Sequence, residues 1–279
     1  MDKNSQSYIA QKKFLQTQSD IFFKNSNERK TINYLWIWCS SINHDDTDPR
    51  TPASNKIMDY ILESAKNFDA SLSIETKFHL LDEIKFDHCE ANYSMKWEYC
   101  TWPCWITQRM AKLGKADPLS QLYDDLIDRA DVVIIATPIR RWNASSLYYK
   151  LIERLNCIEN QKEVYGVNLV HNKLVWMVII WAQDGAQHVM WQIMSVWAEL
   201  GFAFAKSPYV AYTAWWLRND KTELVQEQIQ HDRWLIEQMT QEMISNQIST
   251  ILQRKKYMTF SKNNNHKKIG RAHVWTPVT

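Results

Sequence analysis

Glycine is scarce in this chain, with 5 in 279 residues, where ordinary usage is roughly 7%. That scarcity leaves few positions at which the backbone can run without a side chain. Long apolar runs are missing too: the longest, Leu174 to Ala182, falls well short of the roughly 18 residues that cross a bilayer and has the length of a buried strand. The opening residues, MDKNSQSYIAQKKFLQ, lack the apolar segment and small-residue cleavage site of a secretory signal, so the expected compartment is the cytoplasm. Cysteine is sparse and unevenly spread (Cys39, Cys89, Cys100, Cys104, Cys157), which fits reduced thiols better than a disulfide framework. Charge of one sign is also lacking. The net charge is +2, with small basic clusters only at Lys255–Lys256 and Lys267–Lys268, and no nucleic-acid stripe stands out. The eight histidines form no HExxH or comparable ligand pair and no Ser-His-Asp set; His188 reads as a packed or surface residue.

What is there instead is tryptophan, 14 of them. They do not gather into one aromatic platform. Several, among them Trp36, Trp142, Trp181 and Trp215, fall where strand ends and tight turns are expected, which are positions that ordinarily favour glycine. The last residues, Ile269 to Thr279 (IGRAHVWTPVT), look like a translated short-read sequencing adapter in which a UGA codon has been read as Trp275. Some bacterial lineages use UGA for glycine. A gene of that kind, translated with UGA as tryptophan, would carry Trp at its UGA glycines, and Trp36, Trp142, Trp176, Trp181, Trp191 and Trp215 are the expected cases. Trp197 and Trp216 read as genuine aromatics.

With 45% hydrophobic and 23% charged residues, the chain is long enough for one sizeable domain with extensions. Residues 1–30 read as a variable N-terminal extension with one helix, Ser7 to Phe23. Residues 31–250 form the expected domain, and 251–279 a disordered tail with the adapter-like stretch at 269–279. Within the domain, strands are expected at Thr31–Cys39, Ser71–Phe78, Asp131–Thr137, Lys173–Trp181 and Tyr209–Tyr212. Helices are expected at Ser54–Asn67, Leu119–Arg129, Ala144–Ile158, Ala186–Leu200 and Thr222–Ile248. A polar, cysteine-bearing insertion spans 79–117. Strands alternating with helices imply a parallel sheet covered on both faces, an α/β doubly wound fold. Ligands on such sheets bind beyond the carboxyl ends of the strands.

Three loops therefore carry the candidate site. After the first strand, Ser40 and Ser41 leave the sheet and Ser54 and Asn55 open a helix, so hydroxyls, backbone N–H groups and a positive helix end converge as a phosphate site. Arg50 and Lys56 are candidate counter-charges. Ser and Asn at a helix start are also ordinary N-caps. After the third strand comes Thr137-Pro138-Ile139-Arg140-Arg141-Trp142-Asn143-Ala144-Ser145, continuing into the run Ser146 to Cys157. This segment resembles the flavodoxin-like NAD(P)H-dependent oxidoreductases that bind FMN, in which it usually reads TPIRWG followed by a small residue, Ala and Ser. Arg141 and Trp142 stand here where that family has Trp and Gly. Arg129 is a similar departure and, with Arg141, hints at a second misread codon. After the fourth strand, Gln183-Asp184-Gly185 is similar to the family's GGQDG segment.

The resemblance runs from about Thr31 to Trp216 and implies a flavodoxin-like, five-stranded parallel sheet of order 2-1-3-4-5. It implies FMN held at Ser40, Ser41, Ser54 and Asn55 (phosphate), at Thr137, Pro138, Ile139, Arg140, Trp142, Asn143, Ala144 and Ser145, and at Gln183, Asp184 and Gly185 (flavin carbonyls). No side chain is expected to act as a catalytic acid or base, because the flavin carries the redox chemistry. Hydride would pass from NAD(P)H to FMN and on to a quinone, flavin, nitro or azo compound, or metal. The resemblance also implies a homodimer or homotetramer. Two other readings stand beside it: a flavodoxin-like electron carrier without nicotinamide chemistry, and a non-catalytic protein whose flavin site Trp142 and Trp181 block. His88-Cys89 and Tyr99 to Cys104 resemble one branch of the family. A cluster there needs about four thiolates, and Cys89, Cys100 and Cys104 supply three with no CxxC pair, so reduced structural or redox-sensitive thiols are the expectation.

Overall fold

The structure, a computed structural model, describes residues 3, 5–28, 31–40, 61, 63, 67, 73–171, 173–181, 185–213, 238, 241–242 and 244–253. Five strands form one sheet: β1 (Thr31–Trp38), β2 (Ser73–Leu80), β3 (Val132–Pro138), β4 (Leu174–Trp181) and β5 (Tyr209–Thr213). All pairings are parallel and the order is β2-β1-β3-β4-β5, which is the flavodoxin-like arrangement. The sequences of β1, β3 and β4 are nearly continuous apolar runs because both of their faces are covered. Edge strand β2, SIETKFHL, is half polar and mostly only partly buried.

Side chains alternate between faces along each strand, and the core divides accordingly. Leu35, Ile37, Val133, Ile135, Val175, Met177 and Ile179 enter one cluster with residues of the helices α1 (Gln6–Glu28), α3 (Ser120–Asp124), α4 (Ser146–Tyr165) and α5 (Ala186–Leu200). Tyr34, Trp36, Val132, Ile134, Trp176 and Val178 enter the other with Ile61, Ile244, Ile248 and Ile251. The sheet is thus doubly wound as expected. The helix expected at Leu119–Arg129 is α3 continued by a π turn at Asp125–Arg129. The one expected to end at Ile158 runs on to Tyr165, where Gly166 takes φ 67° and its N–H closes on the Lys162 carbonyl, a left-handed C-cap. The insertion, expected only as a polar stretch, holds two 3₁₀ turns (Asn92–Ser94, Trp97–Tyr99) and the helix α2 (Trp105–Lys112). The helices expected at Ser54–Asn67 and Thr222–Ile248 lie largely outside the described residues, as do 254–279 with Trp275; residues 244–253 are helical and Ile251 is buried against the sheet, so the segment expected as a disordered tail from 251 begins as ordered helix.

β1 has β2 on one side and β3 on the other. The connections leaving β1 and β3 therefore diverge, and a crevice opens beyond the carboxyl ends of these two strands. That is the place to which the sheet delivers Ser40 and the segment from Thr137 to Ser145.

Candidate functional site

The Cys39 N–H extends the β1–β3 pairing by donating to the Ala136 carbonyl at 2.8 Å. Ser40 follows at the rim. It is buried, and its hydroxyl has no hydrogen-bond partner among the described residues. Leaving a buried donor unmade costs about 1–3 kcal/mol, so this hydroxyl is positioned for an acceptor that the described residues do not supply. Burial pushes the neighbouring Cys39 thiol up, and the Tyr148 hydroxyl likewise. Both stay protonated, and neither places a negative charge beside an incoming phosphate.

The loop after β3 is built by its own backbone. Thr137 is fully buried; its hydroxyl accepts the Ser145 N–H at 3.1 Å and lies 3.1 Å from the Pro138 carbonyl. Ile139 N–H donates to Ile180 O at 2.9 Å, which holds the loop against β4. Arg140 and Asn143 then pair through both N–H···O bonds, at 2.7 and 3.0 Å. They close a two-residue turn whose central residues, Arg141 and Trp142, have φ 52° and 68°. Turns with φ > 0 at both central positions select Gly and Asn, because only those residues adopt the left-handed region cheaply. Position 142 therefore asks for glycine on backbone grounds. The same reasoning does not extend to the other expected cases in the described residues: Trp36 and Trp176 sit inside β1 and β4, and Trp191 is an exposed mid-helix residue of α5, none with positive φ. Trp181 ends β4 with its side chain outside the described residues, and Trp215 also lies outside them. Trp197 is a fully buried core residue, as expected.

Trp142 is more than half exposed, and its ring lies over Gly185, where a Cβ would come within 2.9 Å of it. Gly185 itself has φ 98° at the start of α5. Trp142 thus crowds Gly185 while remaining largely exposed rather than buried. Asn143 Nδ2 donates to Arg141 O at 2.9 Å, and its Oδ1 accepts from Gln192 Nε2 at 3.3 Å. Gln192 Oε1 also accepts from the Tyr149 hydroxyl at 3.0 Å, and its amide lies 3.0 Å from His188 Nε2. The sequence analysis did not single out Gln192; a polar residue two turns into a helix carries no motif, and only the approach of α5 to the turn shows that it orients Asn143. His188 is exposed, in keeping with the surface reading.

Ser145, expected to hydrogen-bond the flavin, is buried and already engaged. Its hydroxyl donates to the Cys39 carbonyl and accepts the Tyr148 N–H at 3.3 Å as the N-cap of α4. It ties the β1 loop to the β3 loop. Ala144 and Ile139 are buried beside it and Arg140 is exposed. Ser41, Ser54, Asn55, Gln183 and Asp184 lie outside the described residues, as do Arg50 and Lys56. The structure therefore brings together Ser40, Thr137–Ser145 and Gly185 at one crevice.

A profile of the NADPH-dependent FMN reductase family matches residues 53–216, more than half of the chain. The chain belongs to the NADPH-dependent FMN reductase family. Its members are oxidoreductases with FMN as cofactor and NAD(P)H as co-substrate, and the crevice of this member fits that group: the buried Ser40 hydroxyl has no hydrogen-bond partner among the described residues, and the Arg140–Asn143 turn reaches the rim with the Trp142 indole beside it. Among solved structures, RosB with a bound 8-demethyl-8-formylriboflavin-5′-phosphate intermediate is similar over 88% of this chain and 93% of its own, with TM-score 0.54 and 16% identity. An oxidoreductase from Corynebacterium diphtheriae (80% and 98%, TM-score 0.48, 8% identity) and the azoreductase AzrA (75% and 99%, 0.48, 10%) are similar as well. At such identities the likeness is one of fold. No curated protein sequence is significantly similar to the chain. Among the described residues no helix is long and apolar enough to cross a membrane, and no three His, Cys, Asp or Glu side chains are arranged to hold a metal ion. The five cysteines are free thiols.

Proposed function

We propose that this protein is an FMN-bound NAD(P)H oxidoreductase that passes reducing equivalents to a small acceptor of the quinone, flavin, nitro, azo or metal class. The bound flavin supplies the redox chemistry, taking two electrons as hydride and releasing them singly or in pairs. The chain's own residues bind and orient. Ser40, with Ser41, Ser54 and Asn55, would hold the phosphate; the Ile139–Asn143 backbone would bind the ring, with Gln192 fixing the Asn143 amide through its Oδ1; Gln183, Asp184 and Gly185 would bond the flavin carbonyls. The observation that carries this reading is the pairing of family membership with the unpartnered Ser40 hydroxyl at the β1/β3 crevice.

Trp142 favours one second reading. An indole over Gly185 stands where the family's bare turn approaches the ring, so the chain as written has a narrowed site and a Trp142→Gly chain an open one. This is also where the UGA account makes a distinct claim, since it takes position 142 to be glycine in the natural protein. The experiment is to add FMN to the purified chain and to the chain with Trp36, Trp142, Trp176, Trp181, Trp191 and Trp215 changed to Gly, then to follow the visible spectrum anaerobically with NADH or NADPH. A bound-flavin spectrum that the nicotinamide bleaches supports the oxidoreductase. Binding by the glycine chain alone supports the misread code, and equal binding by both refutes it. Failure of both folded chains to bind FMN refutes the flavin reading.

A further inference from the structure

Away from the crevice, four of the five cysteines form one group, and three of them lie near a buried cation. Arg154 of α4 has a fully buried side chain paired with an equally buried Asp117 and donates to the Asp87 carbonyl at 3.0 Å. Its Nε has no oxygen or nitrogen partner. Asp117 also accepts from Thr107 Oγ1 of α2 (Trp105–Lys112) at 2.5 Å, which brings the start of that helix, and with it Cys104, up to the guanidinium. Cys104 is the N-cap residue of α2, and its sulfur lies by the first-turn N–H groups of Ile106 and Thr107 without closing a conventional cap hydrogen bond. Cys157, one turn along α4 from Arg154, is fully buried and turns its thiol toward Cys104, with its Sγ also 3.5 Å from the Arg154 carbonyl. Cys100 and the half-buried Cys89 complete the group. The titratable and charged groups facing Cys104 are thus Cys157, Cys100, Cys89, Tyr123 and Arg154, with Asp117 behind the guanidinium.

The chemistry of the group separates its members. The sulfur of Cys104 sits at a helix N-terminus near a buried cation, conditions that favour thiolate; its pKa is lowered to about 5, with the neighbouring Cys157 thiol the largest cause. Burial pushes the Cys157 thiol well up and the Cys100 thiol up to about 12. One nucleophilic thiolate beside one protonated thiol is the arrangement of an attacking and a resolving cysteine. It is not a metal site, since no three of these side chains are arranged to hold an ion.

We infer that Cys104 and Cys157 form a peroxide-reactive thiol pair, with Cys104 the attacking and Cys157 the resolving residue, separate from the flavin crevice. The oxidant is hydrogen peroxide, small enough to reach Cys104, which is 5% exposed. In the first step Cys104 sulfur attacks one peroxide oxygen: an S–O bond forms, the O–O bond breaks, and the departing hydroxide leaves as water after taking a proton. In the second, Cys157 sulfur attacks the Cys104 sulfenic acid: the S–S bond forms, the S–O bond breaks, and the released hydroxide takes the Cys157 proton to give a second water. Two thiols lose two electrons in all, and one peroxide becomes two waters. Arg154 holds the thiolate in place and is a positioning residue.

The test uses the full reduced chain treated with hydrogen peroxide, followed by thiol counting, intact mass and peptide mapping. The expected result is loss of two of the five thiols and a single cross-link between the peptides of Cys104 and Cys157. In Cys157→Ser the reaction stops at a Cys104 sulfenic acid that dimedone captures, and in Cys104→Ser the rate of thiol loss falls more than tenfold with the circular dichroism of the native fold retained. A first cross-link or adduct at Cys89 or Cys100, or five thiols that survive in the native chain and react only in urea, overturns the inference. Should Cys104→Ser fail to fold, the mapping on the unaltered chain still decides.

Discussion

Replacing Trp142 by Gly and, separately, by Ala isolates the backbone demand of the Arg140–Asn143 turn. Both substitutions delete the whole indole, so the loss of its contact with Gly185 is common to the pair and cancels in the difference. What remains is the cost of a Cβ at φ 68°, about 1–2 kcal/mol for a left-handed L-residue. Against it stands the entropy that glycine loses on folding, about 0.5–1 kcal/mol. The Gly variant is therefore expected to be the more stable by up to about 1.5 kcal/mol. Trp191, exposed in the middle of α5, supplies the control: there Ala is expected to exceed Gly by about 1 kcal/mol, the usual helix-interior preference. Urea unfolding reads both differences as shifts in midpoint of roughly 0.3–0.5 M at unchanged slope. If Ala matches or exceeds Gly at position 142, the turn makes no demand for glycine and the conformational case for a misread codon there is gone. If the sign reverses between the two sites, residue 142 is held in a conformation that tryptophan tolerates only at a cost.

Four further outcomes follow from the same contacts. Ser40→Ala removes a buried hydroxyl that has no partner, so stability should change by less than about 1 kcal/mol while FMN affinity falls roughly tenfold; calorimetric titration with FMN beside urea unfolding checks both, and a large stability loss would show a structural role instead. Ser145→Ala removes the α4 cap and the tie to Cys39, and unfolding should report a loss of about 2 kcal/mol; no loss would return Ser145 to the list of flavin contacts. Asp117→Asn leaves the buried Arg154 uncompensated and should cost about 3–5 kcal/mol, seen as a lower thermal midpoint. Cys104 has a folded pKa near 5 against an ordinary 9.0, so its contribution to stability is complete above pH 9 and disappears as pH falls to about 5; because the Cys157 shift is upward and acts only above pH 9, Cys104→Ser should flatten the rise of stability between pH 5 and 9, and an unchanged slope would mean that Cys104 is an ordinary thiol.

The sheet was legible because its signal is collective. Runs such as VVIIATP and LVWMVIIW have no solvent face, and strands buried on both sides belong to parallel sheets with helices above and below; a boundary error of one or two residues at Trp38, Ser73 or Val132 does not alter that. The strand order came from the TPIR…NAS resemblance rather than from periodicity, which cannot order strands. The insertion was illegible for the opposite reason. HCEANYSMKWEYCTWPCW has neither a period of 2 nor of 3.6, and α2 is only eight residues long, too short for a face to declare itself.

The two sites differ in how far sequence reached them for one physical reason. Most of the described flavin crevice comes from one contiguous segment, Thr137–Ser145, because a strand-end loop presents its backbone and caps locally, so a motif nine residues long marks it, and Ser40 and Gly185 join from the ends of neighbouring strands. The thiol group is assembled across the fold: Cys104 caps a helix in the insertion, whereas Cys157 and Arg154 sit 50 or more residues later on α4. Spacing alone showed Cys89, Cys100 and Cys104 as three thiols with no CxxC pair, too few for a cluster and silent about any partner. Packing α4 beneath the insertion adds a fourth thiol and, more consequentially, a buried guanidinium. A cation at that place repels a metal ion and stabilises a thiolate, so the same cysteines that spacing would group as ligands become, once Arg154 is among them, a nucleophile and its partner.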